Sequence, residues 1–451
     1  MDLFGTAGIR GPVRTEVTPS LAVALGRAAA EDGTEFVVGR DGRETGSALT
    51  AAVEAGIQSG GADVVRLGQV PTPALAYASR DRRGVMVTAS HNPPADNGLK
   101  FFVDGTEYAE KAEKRIESLV GSDLPPIDWD QWGTRTDFDV LESYRTAVSE
   151  YTRSEVGDCE TVHVAVDCGN GVSSLVTPQV LRELGATVTT LNANVDGHFP
   201  GRGSKPTSET LSDLRAFVAD GPFDLGLGHD GDGDRIVVID SDGEVVHEDT
   251  VLAIVAGHYV ETSDSANPIV VTTPNASGRI DDRVESANGR VERVRLGGLH
   301  DGIAALRENN DSETTIAFAA EPWKHLHTRF GSWIDATVSA AVITALIADR
   351  GLSELREPIQ ERPYKKTNVD CPDDLKQPTM TRVETQLSEA FPEADVETEH
   401  GVRLTFPDAS WVLVRPSGTE PYIRIYAESD TVEELVETVI GIVKESIEDV
   451  R

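Results

Sequence analysis

Three times along the chain a short apolar run leads into a glycine- or asparagine-rich loop and then a helix-like segment. The runs are Phe36-Val37-Val38-Gly39-Arg40-Asp41, Val162-His163-Val164-Ala165-Val166-Asp167 and Ile269-Val270-Val271-Thr272-Thr273. Apolar runs of this length, bounded by turn residues, predict buried strands, and their recurrence predicts three related α/β units. A second apolar strand follows inside each unit, at 85–88, 224–228 and 316–319. Each runs into an unusual polar loop: Ala89-Ser90-His91-Asn92-Pro93-Pro94, then His229-Asp230-Gly231-Asp232-Gly233-Asp234-Arg235, then Glu321-Pro322-Trp323-Lys324-His325. Ligands in open α/β sheets bind at the carboxyl ends of strands, which is where these loops fall.

The proline-marked stretch Pro125-Pro126-Ile127-Asp128-Trp129-Asp130 and the helical-looking segment 141–153 place a joint near residue 150. The pattern changes again near Glu361-Arg362-Pro363-Tyr364. Beyond it come a helix-like 380–391, strand-like 402–406, 411–414 and 422–427, and an acidic helix from Thr431, together a small α+β domain. The expected architecture is thus three similar α/β domains plus a C-terminal α+β domain, spanning 1–150, 151–255, 256–362 and 363–451. Length alone, at about 150 residues per domain, suggests roughly three.

Composition adds a constraint. The formal charge is 41 − 76 = −35, which argues against a nucleic-acid or acidic-lipid binder, since both need basic surface. Only 9 of the 41 cations are lysines, so an anionic ligand must be met by groups placed locally. The acidic excess reads as the hydrated coat of a salt-adapted, halophilic protein, with an ordinary acidic protein as the plainer alternative. Cys159, Cys168 and Cys371 show no paired spacing, so neither a disulfide framework nor a zinc site is expected. The opening Met1-Asp2-Leu3-Phe4-Gly5 lacks a leader pattern, and the longest apolar run, 338–348, is too short to span a bilayer. A cytoplasmic protein without nucleic-acid or membrane partners is the expectation.

The candidate chemistry lies in the loops. Ser90 follows an apolar strand on a stiff loop with His91 and two prolines, where a hydroxyl can be presented to accept a phosphoryl group. An isolated serine there would ordinarily be a turn residue. Asp230, Asp232 and Asp234 alternate with Gly231 and Gly233, which lets three carboxylates converge as a hard divalent cation requires. An EF-hand is excluded, because Arg235 stands where the glycine belongs. Gly226, Gly228 and Gly231 match a dinucleotide fingerprint formally, but three aspartates would repel a pyrophosphate and a strand follows instead of a helix. Oxygen ligands without His or Cys favour Mg²⁺. Arg415-Pro416-Ser417-Gly418-Thr419-Glu420-Pro421 combines a guanidinium, two hydroxyls and a glycine between two strands, a composition suited to phosphate, with Arg424 beyond it as a second charge. Lys100 is either a surface residue or a source of charge or a proton for Ser90.

Taken in order, 4–11, 88–94, 230–235 and 415–421 resemble the four motif loops of the α-D-phosphohexomutase superfamily, which includes phosphoglucomutases, phosphomannomutases and phosphoglucosamine mutases. The resemblance implies four domains around a central cleft. It also implies that Ser90 is phosphorylated and completes a Mg²⁺ site with Asp230, Asp232 and Asp234. Arg10 and Lys100 match positions near the reacting phosphoryl group, with His91 and Arg235 beside them. Arg415, Ser417, Gly418 and Thr419, with Arg424, match the grip on the non-reacting phosphate. The implied reaction moves a phosphate between C1 and C6 of a hexose or hexosamine phosphate through a sugar 1,6-bisphosphate, which also serves as activator, on a monomer or homodimer. In the third loop only Glu321 keeps the family's sugar-reading pattern, so the sugar is left open. The first loop and Val70-Pro71-Thr72-Pro73 look closest to archaeal phosphoglucosamine-mutase-like members, with phosphomannomutase, phosphoglucomutase or phosphopentomutase activity as the alternative. A Mg²⁺-dependent sugar phosphatase would have no use for a second phosphate grip, and a non-catalytic sensor would not need Ser90 together with three aspartates.

Overall fold

A computed structural model describes residues 3–5, 8–122, 124–309, 314–417 and 420–451. The chain folds into two compact units, one formed by 1–251 with 317–356 and the other by 252–316 with 357–451.

The first unit opens with strands β1 (Ile9–Pro12), β2 (Glu35–Arg40), β3 (Asp63–Gln69), β4 (Arg83–Val87), β5 (Asp96–Val103), β6 (Thr106–Glu107) and β7 (Arg135–Asp137). They form one sheet in the order β1-β5-β4-β2-β3-β7, with β6 paired to β5. β2 runs parallel to both β3 and β4, while β5 returns antiparallel to β4. The helices Pro19–Ala30 and Gly46–Ser59 cover one face, burying Leu25, Leu49, Val53 and Ile57 against Phe36, Val38, Val64 and Val85. Full burial of each such side chain stabilises by about 1.5–3 kcal/mol.

A second sheet follows: β8 (His163–Asp167), β9 (Thr187–Leu191), β10 (Leu225–His229) and β11 (Ile236–Asp240), in the order β11-β10-β8-β9. β10 is parallel to β8 and antiparallel to β11, so 230–235 is the turn of a hairpin at the carboxyl end of β10. The same unit contains the hairpin arm 317–326, where Glu321 lies opposite Lys324, and the buried helix Ala336–Arg350. Asp335 caps that helix by accepting from the N–H groups of Thr337 and Val338, and its carboxylate also receives the hydroxyl of Tyr144.

In the second unit Asn267–Thr272 pairs in parallel with Arg290–Arg293. Its larger sheet is antiparallel, in the order Tyr364–Asp370, Tyr422–Glu428, Trp411–Pro416, Val402–Thr405, Asp395–Glu397. Asp373–Ala390 and Val432–Val450 pack on it through Val383, Leu387, Val436, Val439 and Val443. This is the expected α+β arrangement, and the molecule as a whole is mixed α/β.

Three details differ from the pattern-based reading. The glycine-rich opening is partly a strand, β1, because Ile9 to Pro12 pair with β5. Lys100 belongs to a full strand, β5, whose continuous burial hides any alternation. The helix expected from 380 begins at Asp373 and contains Pro378 at its sixth position, where the missing N–H removes the bond to the Asp374 carbonyl. Among the described residues no helix is long and apolar enough to cross a membrane.

Candidate active site

Ser90 sits one turn beyond β4 with φ +50°, a left-handed conformation that costs a residue with a Cβ about 1–2 kcal/mol. The surroundings hold it there. Its N–H donates to Thr88 Oγ1 at 2.8 Å, and that hydroxyl donates to Asp41 Oδ2 at 2.7 Å. Arg43, fully buried, spans the whole loop. Its Nη1 donates to the carbonyls of Pro93 (2.6 Å) and Asp96 (2.9 Å), its Nη2 to those of Ser90 (2.9 Å) and Asn92 (2.7 Å), and its Nε to Asp41 Oδ2 (3.1 Å). Every side-chain nitrogen of the guanidinium is thus committed to shaping the serine loop.

The turn between β10 and β11 brings Asp230, Asp232 and Asp234 together, all buried, with one oxygen from each within 4.8 Å of the others. Two glycines make this geometry possible. Gly233 adopts φ +69°, and a Cβ on Gly231 would stand 2.8 Å from the carbonyl oxygen of Ser90. Ser90 Oγ donates to Asp230 Oδ2 at 2.7 Å, which joins the serine loop to the aspartate turn. The helix start after β3 adds a second tie: Thr72 Oγ1 donates to Asp232 Oδ2 at 2.7 Å and Thr72 N–H to the Asp232 carbonyl at 2.9 Å.

The cations converge on the same point. Lys100 Nζ lies 3.1 Å from Asp234 Oδ2 and 3.3 Å from Glu107 Oε1, and Lys324 Nζ lies 3.7 Å from Asp234 Oδ2. Arg235 Nε is 3.8 Å from Asp230 and 3.7 Å from Asp234. Arg10 adds positive charge felt at Asp234, Lys100 and His91, and two of its buried nitrogens have no hydrogen-bond partner among the described residues. Burial opposes charge on Asp234, but Lys324, Lys100, Arg235 and Arg10 hold its carboxyl well below the usual range. Asp230 is pushed the other way, by burial and by the charges of Asp234 and Asp232. Burial would lower the Lys100 ammonium, yet Glu107 and Asp234 raise it, so it stays charged. His91 Nδ1 lies 3.3 Å from Ser90 Oγ, and burial together with Arg235 and Arg10 pulls its pKa down to about 3, leaving it neutral.

This cluster fits a hard divalent cation. The donors are all oxygen, and Asp232 Oδ1 and Asp234 Oδ1 are buried without hydrogen-bond partners among the described residues. Glu321 reaches the neighbourhood through its hairpin, opposite Lys324. Trp323 adopts φ +67° at the tip and packs against the apolar cluster that includes Leu211, Val237 and Ile239, while His325 is buried. Arg43, Thr72 and Lys324 were not singled out for the site by sequence. The scarcity of lysines is the one signal in the sequence that could have found Lys324.

In the second unit Arg415 stands opposite Arg424 on adjacent strands. Like charges placed directly across a ladder repel, and an anion between them would relieve that. Ser417 N–H donates to the Tyr422 carbonyl at 3.0 Å, and Ser417 Oγ accepts from Glu420 N–H at 3.2 Å. Lys376 Nζ donates to the carbonyls of Ser417 (2.7 Å) and Glu420 (2.6 Å), tying both ends of the loop. Arg424 Nε donates to Asn368 Oδ1, and its guanidinium lies 4.9 Å from the Tyr422 ring centre. Gly418 and Thr419 lie outside the described residues.

A serine hydroxyl thus stands against a buried carboxylate cluster ringed by cations, on an α/β scaffold. The chain belongs to the phosphoglucomutase/phosphomannomutase family: models for α/β/α domain I, α/β/α domain II and the C-terminal domain match residues 1–124, 142–243 and 367–443. That family lies within the α-D-phosphohexomutase superfamily and makes the chain an isomerase-class intramolecular phosphotransferase. Among its relatives are a phosphopentomutase of Thermococcus kodakarensis, 43% identical, and a probable phosphoglucosamine mutase of Methanopyrus kandleri, 41% identical, each alignment covering 99% of both chains. A solved phosphoglucomutase/phosphomannomutase family protein of Burkholderia thailandensis shares the fold with a TM-score of 0.84 at 23% identity, over 99% of this chain and 97% of the other.

Proposed function

We propose that this protein is a phosphosugar mutase that moves a phosphate between C1 and C6 of a hexosamine phosphate, with phospho-Ser90 as donor and a sugar 1,6-bisphosphate as intermediate. The observation that carries the reading is Ser90 Oγ held 2.7 Å from Asp230 with Lys100, Lys324, Arg235 and Arg10 turned on the same carboxylate cluster. Asp230, Asp232 and Asp234, with a phosphoserine oxygen, would hold Mg²⁺, which when bound supplies charge neutralisation on the transferring group. The four cations serve the same end from the protein side, because phosphoryl transfer is governed by positioning and electrostatic stabilisation. When Ser90 takes a phosphoryl group its hydroxyl proton has to leave, and Asp230 Oδ2 and neutral His91 Nδ1 both lie within reach of Oγ. The serine then gives the phosphoryl group to a sugar hydroxyl, the bisphosphate turns round, and the other phosphate returns to Ser90. Arg415, Ser417, Gly418, Thr419 and Arg424 hold whichever phosphate is not reacting, and Glu321 accepts a sugar hydroxyl.

A second reading, a phosphopentomutase, is supported by the 43% identical relative of that name. One assay series separates the two: glucosamine, mannose, glucose and pentose phosphates are offered in turn with a trace of the matching bisphosphate and Mg²⁺. Turnover should concentrate on glucosamine phosphate, and preference for ribose phosphate would move the assignment to the second reading. Ser90→Ala should abolish turnover of every sugar with an unchanged melting temperature. Full activity in that variant would overturn the phosphoserine mechanism.

A further inference from the structure

The turn that carries Asp230, Asp232 and Asp234 is shaped from behind. His229 Nδ1 donates to the Arg235 carbonyl at 2.9 Å, so the residues on either side of the three aspartates are clasped to each other. Val172 N–H donates to the Gly231 carbonyl at 3.2 Å, and the loop 167–172 packs so closely that a Cβ on Gly171 would stand 2.7 Å from that oxygen. With the Thr72 bond to the Asp232 carbonyl, the main chain of the turn is held from several sides while its carboxylates converge.

One side chain ties this support together. Arg202 is buried, and its Nη2 donates to the His229 carbonyl at 2.6 Å. Its Nε donates to Asp167 Oδ2 and its Nη1 to the Gly203 carbonyl, each at 3.0 Å. The other oxygen of Asp167 accepts from the Gly169 N–H (2.8 Å) and from Asn192 Nδ2 (3.2 Å). Gly169 adopts φ +56°, and a Cβ there would stand 2.7 Å from Arg202 Nη2, so the guanidinium lies against bare backbone. The arrangement repeats that of Arg43 in the first sheet. In both, a buried arginine pairs with an aspartate at the carboxyl end of a parallel strand and spends a further donor on a carbonyl of a site loop.

The segment that delivers Arg202 also reaches the serine. Ser204 Oγ donates at 3.0 Å to the Asn92 carbonyl, an oxygen that also receives Arg43. Arg43 Cζ stands over the Phe199 ring, 5.2 Å from its centre, and a Cβ on Gly231 would come 3.2 Å from an edge carbon of the same ring. Residues 199–204 thus touch the Ser90 loop on one side and the aspartate turn on the other, and Arg202 is their deepest anchor.

We propose that Arg202 is a positioning residue for the carboxylate cluster, holding the turn from His229 to Arg235 in the geometry that a divalent cation requires beside Ser90. The inference rests on the phosphosugar-mutase reading, in which that cluster holds Mg²⁺. Groups behind metal ligands govern their orientation, and losing one costs about 10–100-fold in metal affinity. Mn²⁺ titrated into the full chain and followed by electron paramagnetic resonance tests this without turnover. Arg202→Lys keeps the charge, but three donors on one flexible stem cannot reproduce the guanidinium fork, so it should raise the Mn²⁺ Kd by about tenfold or more. The double variant D167N/R202Q removes both members of the ion pair, leaves no buried charge alone, and should raise Kd likewise. It carries the test where the lysine variant fails to fold, which near-ultraviolet circular dichroism shows. Neither change alters the net charge of the pair, so a shift in Kd reports geometry. A side chain that served stability alone would lower the melting temperature and leave the Mn²⁺ affinity of the folded protein at the wild-type value. That result, in either folded variant, would overturn the proposal while leaving the metal reading in place. A wild type that binds no Mn²⁺ would overturn the metal reading and this inference with it.

Discussion

Ser90 holds its left-handed backbone because a single arginine surrounds its loop from within. Arg43 supplies donors to four carbonyls and to Asp41, a set that the three rotatable donors of a lysine cannot reproduce. Arg43→Lys should therefore lower kcat by about tenfold or more at nearly unchanged KM, because the side chain shapes the loop of the proposed nucleophile. Steady-state kinetics, with the rate at which bisphosphate phosphorylates Ser90, would check it; a change confined to KM would be the wrong outcome. Arg43→Ala leaves Asp41 buried without its partner and should cost on the order of 3–5 kcal/mol in stability, read by denaturant unfolding. The difference between what sequence reveals and hides is plain at this scale. Three aspartates in one turn announce themselves, because close like charges are costly without a purpose. Arg43 and Thr72 do their work on main-chain atoms and on a carboxylate 160 positions away, and such contacts leave no local pattern.

At the scale of elements, strands were legible where apolar runs are short and bounded, as at β2, β4, β8, β10 and β11. β1 was hidden by its glycines and β5 by uniform burial, and both are defined only by pairing partners. The third polar loop held more than its letters suggested. His325 Nδ1 and His327 Nε2 both approach Ser339 Oγ, at 3.1 and 2.9 Å, while that hydroxyl donates to the Asp335 carbonyl at 2.8 Å. Its proton is thus spent, so both rings present N–H groups to its lone pairs and stay neutral. Burial lowers His325 to about 4, and burial with His325 as neighbour lowers His327 well below its ordinary value. The unfolded chain binds these protons near pH 6.5 and the folded chain does not. Stability from the pair is thus full above pH 6.5 and falls as pH drops toward 4, by about 1.4 kcal/mol per pH unit for each histidine. Melting temperature against pH should decline less steeply over that window in His325→Gln than in wild type; parallel curves would contradict the assignment.

For the whole molecule, the charge of −35 is a burden in dilute buffer and tolerable in salt. The Debye length falls from about 10 Å at 0.1 M to about 3 Å at 1 M, so most surface repulsion vanishes over that range. The melting temperature should accordingly rise from dilute buffer to molar KCl by more than an equal osmolality of sucrose achieves, and a flat or falling response would show that the acidic coat is not a salt adaptation. The same excess of acid leaves the site's cations conspicuous, since Arg10, Lys100, Arg235 and Lys324 all serve one cluster. Finally, the first compact unit is not one stretch of chain: it closes only with residues 317–356, which bring Lys324 to Asp234 and Asp335 to Tyr144. A chain emerging from the ribosome cannot complete that unit until residue 356 of 451 has appeared, although the serine and aspartate turns are made long before. For that interval the nascent protein carries its most crowded set of acids without one of the lysines that balance them, and final closure must wait for chain translated after them.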